Sequence, residues 1–182
     1  KNYGCEIKAY FIKTPFQPQF ELDDAKKMAY FMSVPMTIDS ADIMRDEHIT
    51  DNPPDRCYYC KNAVFRRIKE LALADGFDSV CDGTNASDDS TERAGMRALD
   101  ELGIVSPLRM CGLTKKEVRR LSREAGLFTH DKPSYACLAT RIPTGEPITQ
   151  ALLTKIQDSE HELHALGFTD FRIRLIGDYA RI

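Results

Sequence analysis

The stretch "CEIKAYFIKTPFQPQFELDDAKKMAYFMSVPMTID", Cys5 to Asp39, reads as strand, loop, helix, strand. From Cys5 to Lys13 polar and apolar residues alternate among β-formers, and Pro15 and Pro18 break the chain into a loop. Ala25, Met28, Ala29 and Met32 then fall on one helical face, with Asp23 and Asp24 near the amino end, where the helix dipole favours carboxylates. That helix ends before Pro35, and Met36 to Asp39 forms a second short strand.

The alternation continues outward from this unit. Pro53, Pro54 and Asp55 signal a helix start, and Val64, Ile68, Leu71 and Ala72 carry an apolar face to about Asp75 before Gly76 closes it. "FDSVCDGTNASDDS" is a short apolar run ending in a Gly- and Asp-rich loop. "ERAGMRALDELG" is a helix closed by Gly103, and "IVSPL" a strand ending at Pro107. "TKKEVRRLSREAG" is a helix with Thr114 as N-cap, Glu117 at the third position and Gly126 as terminator. A βαβαβαβα order implies an α/β fold, a mostly parallel sheet with helices on both faces, and ligands bound beyond the carboxyl ends of its strands. The loops after Lys13, Asp39, Asp82 and Leu108 are expected at that edge.

"DKPSYACLATRIPTGEPIT" is a linker rich in turn formers, followed by an amphipathic helix from Thr149 to Leu166, ended by Gly167, and a strand "FRIRLI". The expected boundary lies near Gly145: an α/β domain over residues 1–144, then the start of a small α+β domain over 145–182. The chain begins at Lys1 without methionine and stops at Ile182 within an apparent strand, so native sequence is expected beyond both ends.

Of 182 residues, 42% are hydrophobic and 29% charged, which suits a folded globular chain. The net charge of -3 and pI near 5.8 offer no global attraction for nucleic acid. No apolar run approaches the roughly 18 to 20 residues of a membrane helix, and no secretory segment opens the chain, so a cytoplasmic protein is expected. Six cysteines without a secretory signal then suit reduced thiols and metal ligation better than a disulfide framework. A sheet edge and a detached carboxyl domain permit a homo-oligomer.

Cys57 and Cys60, in "DRCYYCKNAVF", stand three apart at a helix start, a place for packing, a redox pair or metal ligands. The dipole and Lys61, Arg66 or Arg67 nearby favour thiolates there. Zinc normally takes four protein ligands, and no second such pair exists. Cys5, Cys81 and Cys111 read as small buried hydrophobes. Cys137, in a polar loop between Pro133 and Arg141, is the candidate third ligand, since three thiolates can hold a four-iron, four-sulfur cluster with one iron open. Unrelated cysteines or a zinc site remain the alternative. His48, His130, His161 and His164 lack ligand spacing and read as surface or partly buried side chains.

In "CDGTNASDDSTERAG", Gly83 lets backbone approach a ligand while Asp82, Thr84 and Asn85 offer hydrogen bonds; an acidic solvated turn reads equally well. Arg172 and Arg174 alternate along a short strand and can grip phosphate or carboxylate, or simply solubilise an exposed face. Glu160 reads as a surface carboxylate, a metal ligand or a partner that orients an arginine.

Taken in order, "PPDRCYYCKNAVF", "VCDGTNASDD", "RAGMRALDELGIVSPL", "TKKEVRRLSREAGL", "KPSYACLATRIPTGEPIT" and "LGFTDFRIRLIGDYARI" resemble the ATP-dependent sacrificial sulfur transferases. These are LarE-like members of the PP-loop ATP pyrophosphatase superfamily, with a Rossmann-like (HUP-type) domain and a smaller α+β domain. The blocks run from about residue 53 to 182.

The resemblance implies that ATP with Mg activates a carboxylate of a pyridinium biscarboxylate mononucleotide. An acyl adenylate and pyrophosphate form, and a sulfur nucleophile then displaces the adenylate to give a thiocarboxylate on the way to the nickel-pincer nucleotide. One version of the family sacrifices a cysteine's own sulfur. The other holds a 4Fe-4S cluster on three cysteines, takes sulfur from a sulfide donor, and is the one resembled here: Cys57, Cys60 and Cys137 match its ligands, whereas the sacrificial cysteine's position holds Ala136.

By the same matching, Arg172 and Arg174 bind substrate phosphate or carboxylate. Arg141 and Lys61 lie close to the reacting centre, Glu160 lies near the site, and Asp82, Gly83 and Thr84 belong to the adenylation site. The superfamily's phosphate loop, of SGGxDS type, follows a first strand, and this chain shows neither; "CEIKAYFIK" matches the second strand, so the loop either lies upstream of Lys1 or is absent, and ATP use is implied only in the first case. A tRNA-thiolating enzyme of the same superfamily and a non-catalytic zinc-binding module are the competing readings.

Overall fold

The computed structural model describes residues 4–88 and 93–182. Along the chain run β1 (Ala9–Lys13), α1 (Gln19–Phe31), β2 (Met36–Ser40), α2 (Glu47–Thr50), α3 (Arg56–Ala74), α4 (Arg93–Glu101), α5 (Pro107–Met110), α6 (Lys115–Glu124), α7 (Gln150–Ala165), β3 (Arg174–Ile176) and β4 (Tyr179–Arg181). Short 3-10 turns occupy Ile43–Arg45 and Leu138–Arg141. The fold is mixed α/β with parallel strand pairing. The chain divides into two compact units, one of Lys1–Arg56 with Ser134–Ile182, the other of Cys57–Pro133.

In the first unit β1 and β2 pair in parallel, Ala9 opposite Met36 through Lys13 opposite Ser40, as a strand–helix–strand crossover requires. Helix α1 starts at Gln19, immediately after Pro18, and buries Leu22 and Ala29, seven residues apart on one face. Its end is closed by Ser33 in the left-handed region at φ 51, with Val34 N–H bonded to the Ala29 carbonyl at 2.9 Å.

The two sequence segments of this unit are knitted by backbone bonds. Leu138 N–H donates to Phe16 O at 2.8 Å, Ile148 N–H to Thr50 O at 2.7 Å and Gly145 N–H to Asn52 O at 2.9 Å. Residues on both sides of Gly145 belong to this unit. Phe16, Ile43, Ile49, Leu138, Leu153 and Ile156 are large, fully buried apolar side chains of this unit. Buried Asn52, left-handed at φ 55, donates from Nδ2 to Pro143 O at 2.8 Å and accepts from Arg56 Nη1, which also reaches Ala139 O at 3.2 Å.

In the second unit the strands expected at "FDSVC" and "IVSPL" contract to one parallel bridge between Cys81 and Val105, flanked by Asp82 N–H to Val105 O and Val105 N–H to Val80 O, both 2.9 Å. Pro107 explains one end of the contraction: it has no N–H to extend a ladder, and it stands at the start of α5. Gly76, at φ 87, turns the chain out of α3 as expected. The capping box of α6 is present in full, Thr114 Oγ1 accepting from Glu117 N–H while Glu117 accepts from Thr114 N–H at 2.8 Å. Asp89, Ser90, Thr91 and Glu92, part of the acidic loop and of the expected start of α4, lie outside the described residues.

Two expectations are corrected. Cys5, Cys81 and Cys111 are exposed rather than buried. Cys5 precedes the first residue of β1, Cys81 has a single bridge in place of a ladder, and Cys111 caps a four-residue helix, so none has neighbours enough to cover it. In "FRIRLI" only Arg174–Ile176 pairs, as an antiparallel hairpin with Tyr179–Arg181, so Arg172 lies ahead of the strand. No helix among the described residues is long and apolar enough to cross a membrane.

Candidate functional site

In the first unit the linker stretch "SYACLATR" folds back on α7 around one ion pair. Arg141 is 1% exposed and Glu160 3%, so both charges are removed from water and each needs the other. Arg141 Nε donates to Glu160 Oε1 at 2.9 Å and Nη2 to Oε2 at 3.1 Å, a two-pronged pairing that fixes the guanidinium plane. Its remaining nitrogen, Nη1, donates to Ala136 O at 2.7 Å, to Cys137 O at 3.1 Å and to Thr140 Oγ1 at 3.1 Å. The turn that presents Cys137 is thus closed by Arg141 from beneath.

Glu160 takes two further donors. Tyr135 O–H bonds Oε2, and Ile173 N–H bonds Oε1 at 2.9 Å. Burial works to raise the Glu160 carboxyl, but the hydrogen bonds from Arg141, Tyr135 and Ile173 outweigh it and hold the group below its usual range. Burial, then the bond to Glu160, pushes the Tyr135 phenol well above its usual range, so it stays protonated and donates. The Tyr135 ring also lies 4.5 Å from Arg141 Cζ and meets Phe20 edge-on, with ring centroids 5.0 Å apart.

One carboxylate therefore ties the Cys137 turn to the segment carrying Arg172 and Arg174. Of the three roles open to Glu160, orienting an arginine is the one its hydrogen bonds match. Arg172 Nη2 reaches back to Ser134 O at 3.2 Å, while Arg174 stands exposed on β3. Cys137 is half-buried, and its carbonyl also accepts from Thr140 Oγ1 at 2.8 Å. Tyr135, unremarked in the sequence reading, had one signal there: an aromatic residue inside a polar linker, two places before the cysteine.

In the second unit, Cys57 and Cys60 lie in the first turns of α3, three apart and so on one face, and both are half-buried. Lys61 packs over α4 where Gly95 leaves space: a Cβ on Gly95 would lie 3.1 Å from Lys61 Nζ. At the bridged strand ends, Asp82 accepts from Ser106 Oγ at 2.6 Å and from the Thr84 hydroxyl, and Arg109 N–H donates to Thr84 O at 3.2 Å. Ser106 and Arg109 complete this loop and were missed because their partners lie more than twenty residues away in sequence. Gly83 is exposed, is not left-handed and has no atom within 4 Å of where a Cβ would stand, so nothing in the fold demands glycine there.

None of the six cysteines is held in a disulfide. Among the described residues no group of three or more His, Cys, Asp or Glu gathers as a metal site. Cys57 and Cys60 in the second unit and Cys137 in the first offer thiols, and thiolates are ligands suited to iron–sulfur clusters rather than to hard cations.

No protein-family model matches the chain. Its sequence is similar to that of enzymes named for sulfur-bearing products. It is 32% identical over 162 residues to the pyridinium-3,5-bisthiocarboxylic acid mononucleotide synthase of Lactiplantibacillus plantarum, covering 89% of this chain and 59% of that protein. An uncharacterized protein of Synechocystis is 37% identical over 162 residues, covering 89% of this chain and 60% of the relative. A tRNA-specific 2-thiouridylase of Pseudothermotoga lettingae is 26% identical over 185 residues, covering 80% and 52%. The chain thus spans between 52% and 60% of the length of these relatives.

Proposed function

We propose that the full protein is an ATP-dependent sulfur transferase of PP-loop type, acting in the cytoplasm toward the nickel-pincer nucleotide. It adenylates a carboxylate of a pyridinium biscarboxylate mononucleotide, releases pyrophosphate and replaces the adenylate by sulfur. The observation that carries this reading is the 32% identity to the bisthiocarboxylic acid mononucleotide synthase across 89% of the chain. The more distant thiouridylase supports the same class of chemistry. A tRNA substrate is the weaker reading, because a pI near 5.8 provides no basic footprint for it.

The residue roles are those that the family resemblance implies, and the chemistry of the side chains supports them. Asp82, Gly83 and Thr84 form the loop assigned to ATP with Mg, where a glycine that the fold does not require leaves backbone open to a phosphate. Lys61 supplies positive charge on the same helix as Cys57 and Cys60. Arg172 and Arg174 take the substrate phosphate or carboxylate. Arg141 holds the Cys137 turn, with Glu160 fixing Arg141 in place.

Cys57, Cys60 and Cys137 are assigned as thiolate ligands of a 4Fe-4S cluster, which when bound supplies the sulfur delivered by an external sulfide donor. Anaerobic purification is expected to yield brown protein with about four irons per chain. Colourless protein that takes up zinc and no iron on anaerobic reconstitution would sink the assignment.

Gly83→Ala tests the nucleotide loop. Since an added Cβ meets no atom within 4 Å, thermal stability is expected to stay unchanged. The KM for ATP in pyrophosphate release is expected to rise about tenfold, the loss of one close backbone–phosphate contact. An unchanged KM would remove Gly83 from the nucleotide site.

A further inference from the structure

The hairpin of β3 and β4 carries a local conflict. Its register sets Arg174 directly opposite Arg181, and both are exposed on two short antiparallel strands. Directly opposed side chains lie on the same face, close enough to interact, and like charges in that relation oppose strand pairing. Among the described residues neither arginine forms an ion pair or side-chain hydrogen bond. The hairpin is short, so it has few ladder bonds with which to absorb the repulsion.

Placement strengthens the case. The next residue, Leu175, is half-buried on the opposite side of the hairpin, so the alternation of the strand leaves both guanidinium groups on the outer face. Upstream, Ile173 is 6% exposed and its N–H is held by Glu160, which anchors the start of β3 to α7. A paired-cation face on an anchored strand is a preorganised anion receptor. Two guanidinium groups present planar sets of N–H donors that match phosphate oxygens, and a bound dianion turns their repulsion into attraction.

We infer that Arg181 is a phosphate-binding residue that acts with Arg174 to hold the phosphate of the mononucleotide substrate from the opposite strand. This inference rests on the reading of Arg174 as a substrate-binding residue and extends it across the hairpin. Arg181 recognises the phosphate rather than the ring, so it selects a nucleotide over the corresponding nucleoside.

The test uses the full-length protein and ATP-dependent pyrophosphate release, with the pyridinium biscarboxylate mononucleotide and its phosphate-free nucleoside as alternative substrates. Arg181→Gln is expected to raise the KM for the mononucleotide about tenfold, the loss of one charge-assisted contact, and to leave that for the nucleoside within about twofold. Arg181→Lys recovers part of the loss, and the Gln variant melts no lower than the unaltered protein because a repulsion has been removed.

A rise in KM with Arg174→Gln and none with Arg181→Gln overturns the inference and keeps the role of Arg174. No rise with either variant overturns both. An equal rise for nucleotide and nucleoside also overturns it, since Arg181 would not then be reading phosphate. In the unaltered protein, inorganic phosphate is expected to slow phenylglyoxal modification of both Arg174 and Arg181; protection of Arg174 alone overturns the pairing without recourse to any variant.

Discussion

Replacing Cys137 with alanine is expected to abolish sulfur transfer, by about a thousandfold or more, while ATP-dependent pyrophosphate release continues. The separation follows from which groups hold the turn. Hydrogen bonds that close its turn run to the Cys137 carbonyl, from Arg141 Nη1 at 3.1 Å and Thr140 Oγ1 at 2.8 Å, and alanine keeps that carbonyl. The turn should therefore survive, leaving the thiol as the lost function. In the proposed reaction, activation of the carboxylate needs ATP, whereas the second half needs a sulfur source. Iron per chain should fall as well. Parallel loss of pyrophosphate release would mean that Cys137 serves adenylation instead, and normal sulfur transfer would leave it no chemical role.

Glu160→Ala is expected to cost about 3–5 kcal/mol of stability, the usual penalty for removing one partner of a buried ion pair. Arg141 would be left as a buried charge with side-chain exposure of 0% in the intact pair, and Tyr135 O–H and Ile173 N–H would lose their acceptor together. Urea unfolding measures the loss; a change below about 1 kcal/mol would show that water replaces the carboxylate at little cost.

The pH dependence has a definite sign. A carboxyl held below its ordinary value of 4.5 in the folded state contributes stability that is fully present above that value and disappears as pH falls through the folded one. The stability gap between the parent protein and Glu160→Gln should accordingly narrow below about pH 4.5.

Much of the local structure was legible because its signals are local. Thr114 and Glu117 stand three apart, so the capping box of α6 could be read directly, and the parallel strand–helix–strand unit of β1, α1 and β2 was visible in alternation, periodicity and two prolines. The strands around Cys81 and Val105 were overestimated for a physical reason: an apolar run shows that a segment can extend, while the length of a ladder depends on a partner with free N–H groups, and Pro107 ends that partner. The same dependence on neighbours undid the burial expected of Cys5, Cys81 and Cys111.

By composition and spacing alone, this sequence determined an α/β chain with closely placed thiols at a helix start, a glycine-containing loop at a strand end and arginines near its carboxyl end. Tertiary structure decided what those residues are joined to. Arg141 and Glu160 are separated by nineteen positions, and nothing in either neighbourhood says that they meet; folding of the linker against α7 buries both, and burial makes their pairing obligatory. The opposition of Arg174 and Arg181 is likewise a matter of hairpin register, set by where the chain turns and which face Leu175 hides, and it becomes visible only when the strands are paired.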